Sequence, residues 1–198
     1  MFVIGLTGSI AMGKTTTTRL FAEEGVPVHD ADAAVHRLYE GKAVPLIEAE
    51  FPGVTKDGRV DRTALGQRVL GDAPALQRLE RIVHPLARKA SDQFLKEAEA
   101  KGAPVVVLDI PLLFETGGES RVDATVVVSA PPEMQRARVL ERGVPLERLE
   151  AVLQRQMPDA EKRRRADFVV DSAHGMEHAR AQVRQILAAV AKMPARRK

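Results

Sequence analysis

Short apolar runs punctuate the chain at residues 2–6, 26–29, 105–109, 125–129 and 168–171. Each is nearly continuous rather than alternating, the pattern of a strand covered on both faces. Stretches with helical spacing separate them. Strands alternating with helices predict a parallel sheet joined by right-handed crossovers. The alternation breaks once: between Val28 and Val105 no convincing strand is found, and helix signals fill the gap. Asp61 can cap a helix running through Leu65 and Val69. Asp72 precedes Pro74, a favourable first-turn residue, and Leu76, Leu79, Ile82 and Val83 follow at helical spacing. Pro85 predicts the start of another helix, reaching Ala100 and closed by Gly102. The pattern is that of an α/β core carrying a helical insertion.

A second departure is charged. Residues 136–165 are rich in Arg and Lys, including Arg138, Arg142, Lys162, Arg163, Arg164 and Arg165, with Gly143 and Pro145 as a hinge. Such a run is either a solvated helix face or a functional basic segment.

Composition narrows the classes. The 198 residues are 44% apolar and 29% charged, which suits a globular domain large enough to bury a real core. There is no Cys, which excludes disulfides, thiolate metal sites and a Cys nucleophile. Lys and Arg number 30 against 27 Asp and Glu, and Arg196, Arg197 and Lys198 supply the whole excess of +3. A balanced body with no Trp and one Tyr is a poor nucleic-acid platform, so no nucleic-acid partner is expected. No apolar run approaches the roughly 20 residues of a membrane span, and the start lacks a basic leader. A soluble, cytoplasmic protein is expected, as a monomer or small homo-oligomer, with a frayed tail over residues 193–198.

The sharpest chemistry lies at Gly8-Ser9-Ile10-Ala11-Met12-Gly13-Lys14-Thr15, which fits the P-loop pattern of Gly, four residues, then Gly-Lys-Ser/Thr. A chance match anywhere in the chain has a probability below about 1% at average residue frequencies. The motif follows a strand and precedes a helix pattern over 15–24, as a phosphate-binding loop must. Backbone N–H groups of Gly8, Ala11, Met12, Gly13, Lys14, Thr15 and Thr16 and the helix N-terminus are expected to cradle phosphate oxygens. Lys14 supplies a mobile cation for the transferring phosphoryl group, and the Thr15 hydroxyl a ligand for Mg²⁺. A nucleoside triphosphate with Mg²⁺ is therefore the expected ligand. A tight strand-to-helix turn alone would leave the lysine unexplained.

Two carboxylates follow the second strand in His29-Asp30-Ala31-Asp32, at the sheet edge where ligands of open α/β sheets bind. A carboxylate there can take the proton of an acceptor hydroxyl, which suits a kinase better than a nucleotide switch. Asp30 is equally a helix N-cap. Asp109, ending the third strand candidate, is either an Mg²⁺ ligand or a polar strand terminus. A P-loop by itself fixes a ligand class, leaving open another small-molecule kinase, a nucleotide switch or, through its basic run, a nucleic-acid binder.

Further pieces narrow this. Gly5-Leu6-Thr7-Gly8 leads into the P-loop, and Asp30-Ala31-Asp32, Asp61-Arg62, Leu79-Glu80, His84-Pro85, Pro111-Leu112-Leu113-Phe114-Glu115, Arg142, Gln156 and Ala166-Asp167 follow. Together they resemble the dephospho-CoA kinase family over residues 1 to about 172. The resemblance implies ATP-dependent phosphorylation of the ribose 3′-hydroxyl of dephospho-CoA, giving CoA and ADP, the last step of coenzyme A biosynthesis. It implies a P-loop nucleotide-kinase-like parallel sheet with helices on both faces, a helical acceptor-binding insertion and a lid. The expected boundaries are a core of residues 1–33, 104–138 and 166–192, an insertion of 34–103 and a lid of 139–165. By the same resemblance Asp32 is the base and Arg142 closes on ATP with the lid. Arg62, His84, Pro111, Leu112, Leu113 and Glu115 help hold the acceptor. His84, before Pro85, could instead fix the entry to a helix. The chain departs from the family at Ala11 and Met12, where Gly and Ser are common, and at Asp171, where Asn is common. Retained activity with altered ATP affinity is expected from the first two, since the loop binds mainly through backbone.

Overall fold

The apolar runs become the strands of one sheet. In the computed structural model, which describes residues 1–196, the chain begins with β1 (Phe2–Thr7), α1 (Lys14–Glu23), β2 (Val28–Asp30), α2 (Ala31–Tyr39) and α3 (Val44–Glu50). A hairpin of β3 (Thr55–Lys56) and β4 (Arg59–Val60) follows, then α4 (Arg62–Val69), α5 (Ala73–Ala100) and β5 (Val105–Asp109). The remainder is β6 (Ala124–Ser129), α6 (Pro132–Glu141), α7 (Leu146–Leu153), α8 (Asp159–Arg165), β7 (Phe168–Asp171) and α9 (Met176–Val190). The chain divides into two compact units, residues 30–97 and the rest.

In the discontinuous unit the strand order is β2-β5-β1-β6-β7, and β1 pairs in parallel with both β5 and β6. Alternate residues of the strands, among them Ile4, Leu6, Val107, Val126, Val128 and Val170, form a core with Leu20 and Phe21 of α1 and Val183 and Ile186 of α9. Full burial of each such aliphatic or aromatic side chain contributes about 1.5–3 kcal/mol. On the opposite face Gly5 makes room for the loop after β5. A Cβ there would lie 3.0 Å from Leu113 and 3.1 Å from Val122. The C-terminal strand ends lie side by side, with Leu6 opposite Asp109 and Ser129 opposite Asp171. Ligands bind at this edge of an open sheet.

The described part of the tail makes contacts with the core. Met193 packs on the core, the Arg196 N–H donates to Asp123 Oδ1 at 2.7 Å, and the Arg196 guanidinium pairs with Asp167 at 3.0 Å. The expectation for Arg197 and Lys198 lies outside the described residues. No helix among the described residues is long and apolar enough to cross a membrane.

The contiguous unit has its own core, built from Leu38, Ile47, Phe51, Val54, Leu65, Leu79 and Val83. Asp61 and Asp72 act as the expected caps: Asp61 accepts from the Thr63 and Ala64 N–H groups, and Asp72 from Ala75. Two expectations fail here. A strand pair does occur, in antiparallel register with Thr55 opposite Val60. Its turn is Asp57-Gly58, with φ of 51° and 75°, the two left-handed positions of a two-residue hairpin loop. Strands of two residues are too short to show an apolar period. The second failure is Pro85, which opens no helix but lies inside the 28-residue α5. Proline costs a helix one N–H donor. Buried Leu79 and Val83 and half-buried Leu86, just before and after it, anchor α5 to the unit's core.

Candidate active site

The P-loop joins β1 to α1 under tight steric control. A Cβ on Gly8 would meet the Val128 carbonyl oxygen at 2.8 Å, so the loop can leave the sheet here only as glycine. Gly13 has φ 94°, and a Cβ on it would press on Ser172 at 3.0 Å. Between them Ala11 is held at φ 59°, a left-handed conformation that costs a residue with a Cβ about 1–2 kcal/mol. Met12 is buried, and its sulfur accepts the Ala130 N–H at 3.2 Å. Ile10 and Ala11 pack against Val139 of α6 and Leu149 of α7.

Three successive loop carbonyls are tied from outside. Gln135 Nε2 donates to Ile10 O at 2.8 Å, Arg138 to Ala11 O at 3.4 Å, and Ser172 Oγ to Met12 O at 2.7 Å. Arg138 also donates to Ser172 Oγ at 2.9 Å and to the Ser172 carbonyl at 2.7 Å. Sequence reading missed Gln135 and Ser172 and saw Arg138 only within a basic run. Partners more than 120 positions apart leave no local signal.

Lys14 opens α1, and its Nζ lies 2.5 Å from Asp109 Oδ1. Thr18 Oγ1 donates to the other carboxylate oxygen at 2.7 Å. Asp109 is only 2% exposed, and a buried carboxylate persists where charge and hydrogen bonds compensate it. The strand-end acid is thus the counter-charge of the P-loop lysine. Thr15 presents an exposed hydroxyl in the same first turn, and Thr16 is half-buried. Ser9 Oγ is buried with no hydrogen-bond partner among the described residues. No group of three or more His, Asp or Glu among the described residues could cage a metal ion. Mg²⁺ needs no such cage: it takes one or two protein oxygens and completes its shell with water and phosphate. The hard oxygens of Thr15 and Asp109 suit it.

The loop after β5 is fixed by Thr7 Oγ1, which donates to Pro111 O at 2.9 Å. Leu113 is fully buried beneath Gly5, whereas Leu112 is 40% exposed. Glu115 turns inward. It accepts the Met157 N–H at 2.8 Å and pairs with Lys162 Nζ at 2.9 Å. Burial alone would raise the Glu115 carboxyl, but the bonds from Lys162 and Met157 outweigh it and hold the group below its ordinary value. Lys162 is completely buried, so the basic run is not one solvated face. Arg165 stacks over Phe114 at 4.8 Å and pairs with Glu119. Arg142 caps the C-terminus of α6 and is exposed. Asp171 holds the turn after β7 by accepting the Ala173 N–H at 2.8 Å.

In the contiguous unit, Asp30 is the N-cap of α2 and accepts the Ala33 N–H at 2.9 Å. Asp32 is exposed in the first turn of that helix, where its negative charge complements the helix dipole. Arg62 begins α4 behind the Asp61 cap, and it is close enough to act on Tyr39. Burial raises the Tyr39 phenol, and the Arg62 charge opposes that shift. His84 lines, with Arg88, Lys89, Asp92 and Lys96 of the same helix, a groove of about 460 Å³ in which the cations outnumber the one carboxylate.

The chain resembles known proteins along its whole length. The family model described as dephospho-CoA kinase matches residues 2–178. Dephospho-CoA kinases of Rhodopseudomonas palustris (strain HaA2) and Bradyrhizobium diazoefficiens are each 63% identical over all 198 residues, covering 100% of both chains. Among solved structures, a Thermus thermophilus protein has a TM-score of 0.86 at 38% identity, over 96% of this chain and 97% of that one. Dephospho-CoA kinase from Campylobacter jejuni has a TM-score of 0.65 at 25% identity, over 96% and 98%. Shikimate kinase from Bacteroides thetaiotaomicron shares the fold, with a TM-score of 0.51 at 18% identity over 96% and 98%. A P-loop with its lysine paired to a strand-end acid, on a parallel five-stranded sheet and with full-length identity of this order, means that the chain belongs to the dephospho-CoA kinase family.

Proposed function

We propose that this chain transfers the γ-phosphoryl group of ATP to the ribose 3′-hydroxyl of dephospho-CoA, releasing CoA and ADP. The observation that carries the reading is the P-loop whose Lys14 is paired with Asp109 at the end of β5. The acceptor oxygen forms a bond to the γ-phosphorus as the bond to the ADP oxygen breaks. The hydroxyl proton passes to Asp32. Lys14 follows the charge of the moving phosphoryl group, and the loop amides with the N-terminus of α1 stabilise the phosphate oxygens. Thr15 and Asp109 would hold Mg²⁺, which neutralises charge on the β- and γ-phosphates when bound. Arg142, exposed at the end of α6, is suited to reach a phosphate bidentately. Arg62, His84 and exposed Leu112 are assigned to the acceptor, with Pro111 fixing the loop that bears Leu112. The cationic groove beside His84 supports an anionic acceptor there. Leu113 and Glu115 are assigned a supporting part, because one is buried in packing and the other in an ion pair. We place the reaction in the cytoplasm and carried out by a monomer or small homo-oligomer.

The test is ADP formation by the purified protein with dephospho-CoA, AMP, adenosine or gluconate as acceptor. Dephospho-CoA should give by far the highest kcat/KM. Preference for another acceptor would assign the chain to a different small-molecule kinase, and acceptor-independent hydrolysis would assign it to a nucleotide switch.

A further inference from the structure

The P-loop of this chain carries a conformational cost that a glycine would not. Ala11 sits at φ 59° and is buried, so its methyl group is held in a backbone region that L-residues avoid. Left to local energetics, the peptide would relax toward negative φ and re-aim the neighbouring amides. Its surroundings oppose that. The carbonyls of Ile10, Ala11 and Met12 each accept a hydrogen bond from a side chain outside the loop, and those donors belong to two elements only. Gln135 and Arg138 are three positions apart on α6 and so share one face. Ser172 follows β7 and is itself gripped twice by Arg138. Tying every carbonyl outward on three successive residues fixes the orientation of the peptide planes between them, and with them the N–H groups a phosphate needs.

We propose that Gln135, Arg138 and Ser172 are positioning residues of the nucleotide site: they clamp the P-loop carbonyls and thereby hold Ala11 in its left-handed conformation. Arg138 is the centre of the clamp, since it touches both the loop and the serine that ties the next carbonyl. The clamp does for Ala11 what glycine would do by lacking a Cβ. The clamp and the side chain at position 11 are therefore energetically coupled. A role of Arg138 in direct contact with the nucleotide would carry no such coupling.

The experiment is a double-mutant cycle read by ADP binding to the purified protein, with steady-state KM values for ATP and dephospho-CoA as a second readout. It rests on the kinase reading only for the second. Arg138→Ala should weaken ADP binding about 10–100-fold, the usual loss for charged hydrogen bonds. It should raise the KM for ATP in step while leaving the KM for dephospho-CoA within about twofold. In the Ala11→Gly background the same substitution should cost about tenfold less, because glycine holds the loop conformation without help. Arg138→Lys, which keeps the charge and loses the fork, should behave like Arg138→Ala in both backgrounds. Ser172→Ala removes one clamp bond, leaves the arginine in place, and should show a smaller loss with the same rescue. It serves as the test if Arg138→Ala fails to fold. Equal losses in the two backgrounds, or an Arg138→Lys protein that binds ADP normally, would overturn the clamp. A wild-type protein that binds ADP yet does not phosphorylate dephospho-CoA would refute the function while leaving the cycle readable.

Discussion

The two sets of site residues are built in opposite ways. Around the nucleotide, position is set by burial: Asp109 is almost wholly enclosed, Gly8 has no room for a side chain, and the loop carbonyls are tied from α6 and Ser172. The residues we propose for the acceptor, Asp32, Arg62 and His84, are exposed on the helices of a separate unit, α2, α4 and α5. A polyphosphate is common to many reactions and is gripped by backbone, so its site can be rigid before binding. An acceptor is recognised by side chains, and exposed ones cost less to change than buried ones. Substitutions in the first set should therefore act on the fold and the nucleotide together, and those in the second on turnover or acceptor binding with less effect on the fold.

The largest effect is expected at Lys14. Lys14→Ala removes the cation at the phosphoryl group and also strands the buried Asp109 carboxylate. Turnover should fall by more than about 10³-fold, since one electrostatic group alone is worth about 10²–10³. Thermal melting should show a destabilised but folded protein, and near-normal turnover would break the P-loop assignment. Asp32→Asn should then separate chemistry from binding. We expect turnover to fall about 10²–10³-fold, the lower part of the range for general bases because a loose transition state asks little of one. ATP affinity and melting temperature should hardly move. Asp30→Asn should keep both turnover and stability, because asparagine caps a helix about as well as aspartate, whereas Asp30→Ala should lose about 1 kcal/mol of stability with turnover largely kept. If Asp30→Asn were the crippled enzyme, the two aspartates would exchange roles.

The smallest effect on activity, and the one that best sharpens the contrast, is expected at Glu115. Its carboxyl is held below the ordinary value in the folded chain, so its contribution to stability is present above the unfolded value of about 4.3 and is lost as pH falls through the folded one. Glu115→Gln leaves Lys162 buried and unpaired, a loss of about 3–5 kcal/mol by analogy with other broken buried pairs. The gap in melting temperature between wild type and Glu115→Gln should be wide at pH 7 and narrow as pH falls below the ordinary carboxyl range. A gap independent of pH would mean that the pair contributes packing and no charge.

The same contrast explains what could be read from the chain. The sheet was legible because parallel strands buried on both faces leave continuous apolar runs, and the P-loop because its glycines and lysine sit at fixed spacing. Both uses of aspartate as a cap at 61 and 72 followed from local rules as well. The β3–β4 hairpin was missed because only Asp57-Gly58 marks it. Proline at 85 misled because tertiary packing overrode a local preference. Glu115 and Lys162 could not be paired from sequence, since a buried lysine inside a run of surface arginines looks like its neighbours. The loop clamp was invisible for a related reason: its donors are ordinary polar residues whose only distinction is where the fold brings them.

The division of the chain into one contiguous unit and one interrupted unit also bears on how the protein is made. The core residues of the contiguous unit all lie within residues 30–97, so those contacts wait for nothing made later in the chain. The central strand β1 precedes its strand partners in the chain and waits for β5, whose Val105 pairs with Phe2, and then for β6. Its covering helix α9 comes later still, and the bond from Arg196 to Asp123 last of all. During synthesis, then, the strand that carries the phosphate loop has α1 to pack on but no strand to pair with for about 100 residues of growth, at roughly 5–20 residues per second. That wait is measured in seconds, and the contiguous unit is the part of the chain made within it.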